Sequence, residues 1–413
     1  VELFVPRYLN RFRCLGSTCE DTCCREWRIY FDEEHYQALR AAMRSPEERA
    51  EVDAGLRLVD GGRDQQRHAL VVLREDKHCS FLAPDRLCTL HARYGEAVLG
   101  DTCASFPRSL GQIGERVELM ATTACPEVAR LVLLADDALE RVPGGPEHVG
   151  RGWITRSADP ASRDPYEANF LPVRALVLSL LQARGYPITS RLYFVAHFAD
   201  QTRATLRRNA ARFDGRALGK LADSLRLAKN LDNLHQRYLR AAPGVDRSYG
   251  VGVVRELLRL PGNAVIAQLA ELVDELEPLF VAHGASLGAP VAVLQRAYAE
   301  LAPLPEALAA RLDAIVERYA QHEVLRGWYV EQPSFAAAFQ TLLLRLAAFR
   351  FVVGGLARQR ALGSAAELDA VAVQVAYLLG RTLDGDAELV RQVVVSLEKS
   401  GARLDDALSL LAV

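Results

Sequence analysis

Apolar residues recur every three or four positions through most of the second half of the chain. This spacing predicts amphipathic helices over Ala217–Leu239, Ala264–Val281, Pro305–Val324, Ser334–Val352, Ala366–Leu379 and Ala387–Glu398. Start signals accompany two of them. Ser364, followed three residues later by Glu367, fits a capping box, and Ser334 after Pro333 suits an N-cap. Gly262, the Gly354–Gly355 pair and Gly380 are expected to break one helix from the next. No fixed period repeats, so a solenoid is not expected.

The first third reads differently. Trp27–Phe31, Ala69–Leu73 and Arg116–Met120 have the β-branched and aromatic content of short strands, and Glu33–Asp53 is a charged helical stretch. Short helices are expected after Cys88 and after Cys125, where Pro126 suits a first helical turn. Residues 142–165 concentrate Pro, Gly, Ser and Asp, the composition of a linker or long surface loop. The expected fold is mainly α: a loop-rich α+β cysteine-cluster domain over 1–141, a linker over 142–165, and an α-helical domain over 166–413.

A length of 413 residues implies at least two packing units, and half hydrophobic with a quarter charged is a globular balance. The formal net charge is −2. Lysine occurs only at Lys77, Lys220, Lys229 and Lys399, and the arginines are interleaved with Asp and Glu, so no nucleic-acid partner is expected. Early charges at Glu2, Arg7, Arg11 and Arg13, without a bounded apolar run, argue against a signal peptide and for a cytoplasmic location. Ala175–Leu181 and Thr341–Phe349 are too short to span a membrane, and Arg345 interrupts the second.

The cysteines change the picture most. All eight, Cys14, Cys19, Cys23, Cys24, Cys79, Cys88, Cys103 and Cys125, lie in the first 125 residues. Random placement would do this on the order of one time in ten thousand. A disulfide framework belongs to small secreted domains, whereas clustered cysteines in a large intracellular chain point to metal or redox chemistry. Four thiols fall within eleven residues at Cys14–Cys24, and Cys19 and Cys23 would share a face if that stretch were helical. Zinc prefers paired Cys-x2-Cys knuckles, which are absent. An iron–sulfur centre, of the 4Fe–4S kind, accepts adjacent and distant thiolates more readily; zinc is the alternative. Eight thiols suffice for two four-ligand sites or for one site with spares. The Cys-x3-Cys-x2-Cys triad of radical-type adenosylmethionine clusters is absent.

Other candidates carry less. Gly250-Val251-Gly252 lacks a preceding strand and a third glycine, so it reads as a helix start rather than a nucleotide loop. His78 and His91 neighbour the cysteine loops as ligands, hydrogen-bond donors or plain surface residues. Glu20 and Asp21 lie between thiols and are candidates to face a cationic substrate. Phe106 and Arg108, just after Cys103, are candidates to tune a cluster or hold an anionic group; the plainer reading is a rigid turn with Arg108 paired locally.

The runs Tyr8-Leu9-Asn10-Arg11-Phe12-Arg13-Cys14, Cys19-Glu20-Asp21-Thr22-Cys23-Cys24-Arg25-Glu26-Trp27, Cys79-Ser80-Phe81-Leu82, Leu87-Cys88, Thr102-Cys103-Ala104-Ser105-Phe106-Pro107-Arg108 and Ala124-Cys125-Pro126-Glu127-Val128-Ala129-Arg130-Leu131 resemble, in this order, the flagellin lysine N-methylases. The opening is also similar to a broader cysteine-cluster group described as zinc- or iron-chelating. The resemblance covers about the first third of the chain. It implies methyl transfer from S-adenosylmethionine to lysine side chains of a protein, with flagellin as the family's substrate. The chain departs from familiar donor sites in lacking an acidic-Gly-x-Gly-x-Gly strand end. The alternatives are a metal-stabilised module that binds a protein partner without catalysis, and a thiol or cluster redox protein.

Overall fold

The computed structural model describes residues 2–26, 28–149, 151, 154–208, 215–259, 266–327, 335–385 and 404–413. They are mainly helical, with the expected α+β region first. Strand β1 (Glu2–Pro6) runs into helix α1 (Arg7–Arg11). Next come β2 (Tyr30–Phe31), α2 (Glu33–Ala42), α3 (Pro46–Gly55), β3 (Leu56–Leu58) and β4 (Ala69–Val71), whose strands form an antiparallel sheet ordered β2–β4–β3. The stretch predicted as one helix over Glu33–Asp53 is two. Asp32 caps α2 by accepting from the His35 backbone, and Ser45 with Glu48 forms a capping box that restarts the chain as α3 with Pro46 in its first turn. The strands predicted over Trp27–Phe31 and Ala69–Leu73 shorten to β2 and β4; Trp27 lies outside the described residues.

Beyond them lie α4 (Thr89–Tyr94), α5 (Asp101–Ser105), β5 (Arg108–Ile113), β6 (Arg116–Ala121), α6 (Pro126–Leu134), β7 (Arg141–Pro143), α7 (Pro146–Val149), β8 (Ile154–Ala158) and α8 (Pro165–Ala168). A five-stranded sheet has the order β7–β1–β6–β5–β8. Residues 142–165, expected as a linker, therefore supply most of one edge strand and all of the other. β7 pairs antiparallel with β1, and β8 parallel with β5. A turn-rich composition does not exclude an edge strand, where unpaired N–H groups face outward and proline is tolerated.

The helical body comprises α9 (Phe170–Leu181), α10 (Ile188–Arg208), α11 (Gly215–Arg226), α12 (Ala228–Ala241), α13 (Ser248–Leu258), α14 (Ala267–Asp274), α15 (Glu277–Val281), α16 (Val291–Glu300), α17 (Glu306–Arg326), α18 (Phe335–Gln359), α19 (Ala365–Gly385) and α20 (Leu404–Leu411). The helix predicted over Ala217–Leu239 divides at Leu227, and that over Ala264–Val281 divides between α14 and α15. Ser364 and Glu367 make the predicted capping contacts at the start of α19. Ser334, Gly262 and the helix over Ala387–Glu398 lie outside the described residues.

Gly354, Gly355 and Gly380 do not break helices. They lie within α18 and α19, where the missing side chain permits close approach. A Cβ on Gly355 would come within 2.9 Å of the Leu276 side chain, and one on Gly380 within 2.7 Å of the Ala124 backbone nitrogen. Gly250 and Gly252 are interior to α13, so no nucleotide loop forms there. Helix α18 is long and apolar enough to cross a membrane by length and composition, yet most of it is buried inside the bundle, with Arg345 pairing to Asp384.

Two cores result. The smaller joins Phe31, Leu39, Val52, Phe81 and Leu99 around the cysteine loops. The larger runs from Val5 and Tyr8 on β1 and α1, through Val128 and Val132 on α6, to Val413. The five-stranded sheet thus shares its core with the helices. Glu118 on β6 accepts two hydrogen bonds from Arg174 on α9, at 2.6 and 2.7 Å, with both side chains buried. Removing one partner of such a pair costs about 3–5 kcal/mol, because the other charge is left buried.

Candidate metal centre

The eight thiols are free and come from separate loops and helix starts. Residues 19–24 are not helical; only Gly16–Thr18 forms a short 3-10 turn, so Cys19 and Cys23 do not share a helix face. Cys88 immediately precedes α4, Cys103 lies within α5, and Cys125 is the N-cap of α6. Backbone hydrogen bonds draw several segments together. The Cys79 amide donates to the Cys24 carbonyl at 2.8 Å, Leu82 N–H donates to the Cys79 carbonyl at 3.0 Å, and Leu82 bridges to Cys88.

Burial and mutual repulsion both act on the ionisation of the thiols. Burial pushes the Cys103 thiol up to about 12, with added repulsion from Cys79, Cys88 and Cys23. Burial likewise pushes Cys79 up to about 11 and Cys125 up to about 12. Cys24 is raised by its hydrogen bond to Cys23 and by burial. The same bond lowers Cys23 to about 7, against the opposing effect of burial and with help from Arg381. Cys14, Cys23 and Cys103 nevertheless reach solvent, which leaves an entry path for an ion.

Backbone N–H groups oppose that rise at three of the sulfurs. The Cys79 sulfur accepts the Phe81 N–H at 3.4 Å. Cys19 accepts from the Asp21 backbone, and Cys125 from the Val128 and Glu127 backbones at the start of α6. Such N–H groups favour the charged form of a sulfur. A set of crowded thiols that repel one another as anions is a set that a metal cation stabilises, with their protons released on binding. Among the described residues no three sulfurs lie within 4.8 Å of one another. A zinc tetrahedron with 2.3 Å bonds needs sulfurs about 3.8 Å apart. The donor set is chemically suited to a metal centre, and among the described residues it is not drawn together as a preformed tetrahedron.

The surrounding charges anchor this region. Arg381, on α19 and only 4% exposed, donates from Nη1 to Asp21 Oδ2 at 2.6 Å and from Nε to the Ala124 carbonyl at 3.2 Å. The Gln268 amide, oriented to satisfy both neighbours, donates to Asp21 at 3.2 Å and accepts from Arg25 at 3.1 Å. Glu20 pairs with Arg130, which also binds Glu127. Glu20 and Asp21 are therefore committed to ion pairs. Arg108 stacks its guanidinium over the Phe12 ring at 5.1 Å, and Phe106 packs against the large core. His78 Nδ1 lies 3.2 Å from the Asp76 carboxylate, while His91 sits on α4.

The segment leading to Cys125 is pinned from several sides. Ala121 N–H donates to Tyr8 Oη at 2.8 Å, and its carbonyl lies 3.0 Å from His322 Nε2. Thr122 donates to Asp384 at 2.6 Å. Burial alone would raise Asp384, but Arg326 and Arg345 hold its carboxyl below the usual range. Where the start of α2 meets α5, Asp32, His35 and Asp101 bring donor atoms within 4.8 Å of one another. Arg151 already supplies the cation there, contacting His35 Nε2 at 3.0 Å and Asp101 at 3.1 Å, and so steadies the helix that bears Cys103.

Comparison with known proteins agrees with the motif resemblance. The chain is 29% identical over 146 residues to a lysine-N-methylase of Salmonella typhimurium, a match covering 32% of this chain and 33% of the relative. It is 28% identical over 146 residues to the flagellar biosynthetic protein FliU of Salmonella muenchen, covering 32% of this chain and 78% of that relative. The match thus spans about a third of the length of the curated lysine-N-methylases. No family profile and no solved structure matches the chain.

Proposed function

We propose that this protein is a protein-lysine N-methylase that uses S-adenosylmethionine and holds an iron–sulfur centre, of the 4Fe–4S kind, on four or more of its eight cysteines. The observation that carries the reading is the convergence of free thiols from separate loops, in a chain whose matched relatives are named for lysine methylation. Free, mutually repelling thiols suit a reducing cytoplasm, where disulfides do not persist. The expected substrate is a flagellin-like protein bearing accessible lysines.

With four thiolates bound, such a cluster would have every iron coordinated and would tie the cysteine loops together while offering a redox centre. The protein's own residues hold the loops and control charge. Asp21, Arg381 and Gln268 tie the Cys19–Cys24 loop to the helical body, and Arg151 steadies the Cys103 helix. A lysine amine must lose its proton before it accepts a methyl group, so alignment of both reactants and exclusion of water are the remaining requirements.

The test is transfer of isotopically labelled methyl from S-adenosylmethionine to purified flagellin by anaerobically prepared, iron-loaded protein, read by mass spectrometry of lysine peptides. Labelled methyl-lysine that disappears in a Cys79→Ser/Cys88→Ser variant supports the reading. Absence of transfer by the fully loaded protein overturns it.

A further inference from the structure

The small antiparallel sheet turns one face to the core and one away from it. Ala69 and Val71 of β4 are buried in the smaller core with Phe31 and Leu56. Side chains alternate along a strand, so Leu70 and Val72 stand on the opposite face, where they are only half-buried. Tyr30 on β2 pairs with Leu70, and Leu70 with Arg57 on β3, which sets these three residues in one row across that outer face.

The outer face forms a groove of about 330 Å³, with Leu70, Val72 and Leu73 along its floor and Arg28 and Arg57 at its sides. Arg67 adds a third cation, stacked over the Tyr30 ring at 5.5 Å. All three arginines are exposed, and among the described residues none of their guanidinium groups pairs with a carboxylate. Elsewhere in the same unit arginines are paired: Arg40 with Asp53, Arg93 with Glu51 and Arg151 with Asp101. An apolar floor between unpaired guanidinium groups is the complement of a protein segment with apolar side chains at its centre and carboxylates on its flanks. A nucleic-acid backbone would gain nothing from that floor. The groove also leads to the cysteines, because Leu73 at its end bridges to Cys79, whose amide bonds the Cys24 carbonyl.

We propose that this face docks an acidic, apolar-centred segment of the protein substrate and so brings the substrate beside the cysteine loops. The inference rests on the protein-lysine methylation reading above and adds to it the chemistry of the substrate's docking segment. Arg28 and Arg57 select carboxylates, which a guanidinium can hold with two parallel hydrogen bonds, while Leu70, Val72 and Leu73 bury the apolar centre of the segment. The same arginines repel a lysine side chain, so the target lysine lies beyond the groove rather than in it.

The experiment measures binding of purified flagellin to the full chain by titration calorimetry, alongside steady-state methyl transfer. Arg28→Glu/Arg57→Glu is expected to weaken binding about tenfold and to raise KM for flagellin about tenfold with little change in kcat, at an unchanged melting temperature. Arg240→Glu, exposed on α12 of the helical body, is expected to alter neither quantity. A synthetic peptide of alternating leucine and aspartate should compete with flagellin, and its asparagine counterpart should not. Wild-type affinity and KM in Arg28→Glu/Arg57→Glu, or an equal loss in Arg240→Glu, overturns the docking face and leaves the methylation reading standing. Binding that depends on Arg28 and Arg57 without any methyl transfer keeps the docking face and overturns that reading. A wild-type chain that neither binds nor methylates flagellin overturns both. Competition by a single-stranded oligonucleotide but not by the acidic peptide, or self-association of the wild type that the double variant abolishes, gives the face a different occupant and overturns the proposal.

Discussion

Arg381 and Asp21 are 360 residues apart in sequence and form a buried ion pair at 2.6 Å, with side chains 3% and 5% exposed. The pair locks the end of α19 onto the loop between Cys19 and Cys23. Arg381→Gln or Asp21→Asn is expected to lower unfolding free energy by about 3–5 kcal/mol, since each leaves its partner buried and unpaired or poorly paired. The double variant Asp21→Leu/Arg381→Met should recover much of that loss. Urea denaturation of the four proteins as a double-mutant cycle checks this; additive losses would show that the two side chains do not act as a pair.

Gly380 makes a second prediction at the same contact. A Cβ there meets the Ala124 nitrogen at 2.7 Å, and neither backbone can move without disturbing the other's hydrogen bonds. Gly380→Ala should destabilise by about 1–3 kcal/mol, against the usual helix preference for alanine. Gly185→Ala, where nothing lies within 4 Å, should stay within about 0.5 kcal/mol. Melting temperatures measured side by side distinguish the two.

The thiols give the protein without metal a defined alkaline weakness. Cys79, Cys103 and Cys125 are raised from the ordinary 9.0 to about 11, 12 and 12. Their contribution is fully present below pH 9.0, where both folded and unfolded thiols are protonated. It is lost as pH rises through the folded values, because the unfolded chain ionises first. Cys23, lowered to about 7, has the opposite sign: its contribution is present above 9.0 and is lost as pH falls through 7. Cys19 and Cys24 are raised as well, so the raised groups outweigh the one lowered group on the alkaline side. Chelator-treated protein should therefore lose melting temperature between pH 9 and about 12 under reducing conditions. Metal-loaded protein, whose thiols are already deprotonated, should lose much less. Parallel loss in both samples would detach the alkaline effect from the thiols.

The candidate region was easy to single out because cysteine is chemically distinctive. The segregation of Cys14 to Cys125 marked the region without any knowledge of the fold, and Pro126 after Cys125 marked a helix start that the structure contains. The residues that organise the thiols were not legible. Arg381 lies in a stretch whose periodicity says only that it is helical, and nothing local distinguishes it from arginines at the surface. Gly380 carried a signal that was misread. A glycine inside an otherwise unbroken helical pattern indicates close packing as readily as a break, and only the position of Ala124 decides between them. The 142–165 segment shows a related limit: its Pro and Gly content describes local backbone preference, whereas β7 and β8 are set by pairing with β1 and β5. Glu20 and Asp21 were picked out for their place between thiols, and the structure gives each a basic partner from far along the chain.

The central claim is that the converging sulfurs hold iron and sulfide. Purification of the full chain without oxygen, followed by iron and acid-labile sulfide analysis with an absorption spectrum, tests it most directly. The account predicts brown protein containing iron and sulfide in near-equal amounts, with a broad visible absorption that bleaches on reduction. Colourless protein that contains zinc, or no metal at all, would contradict it.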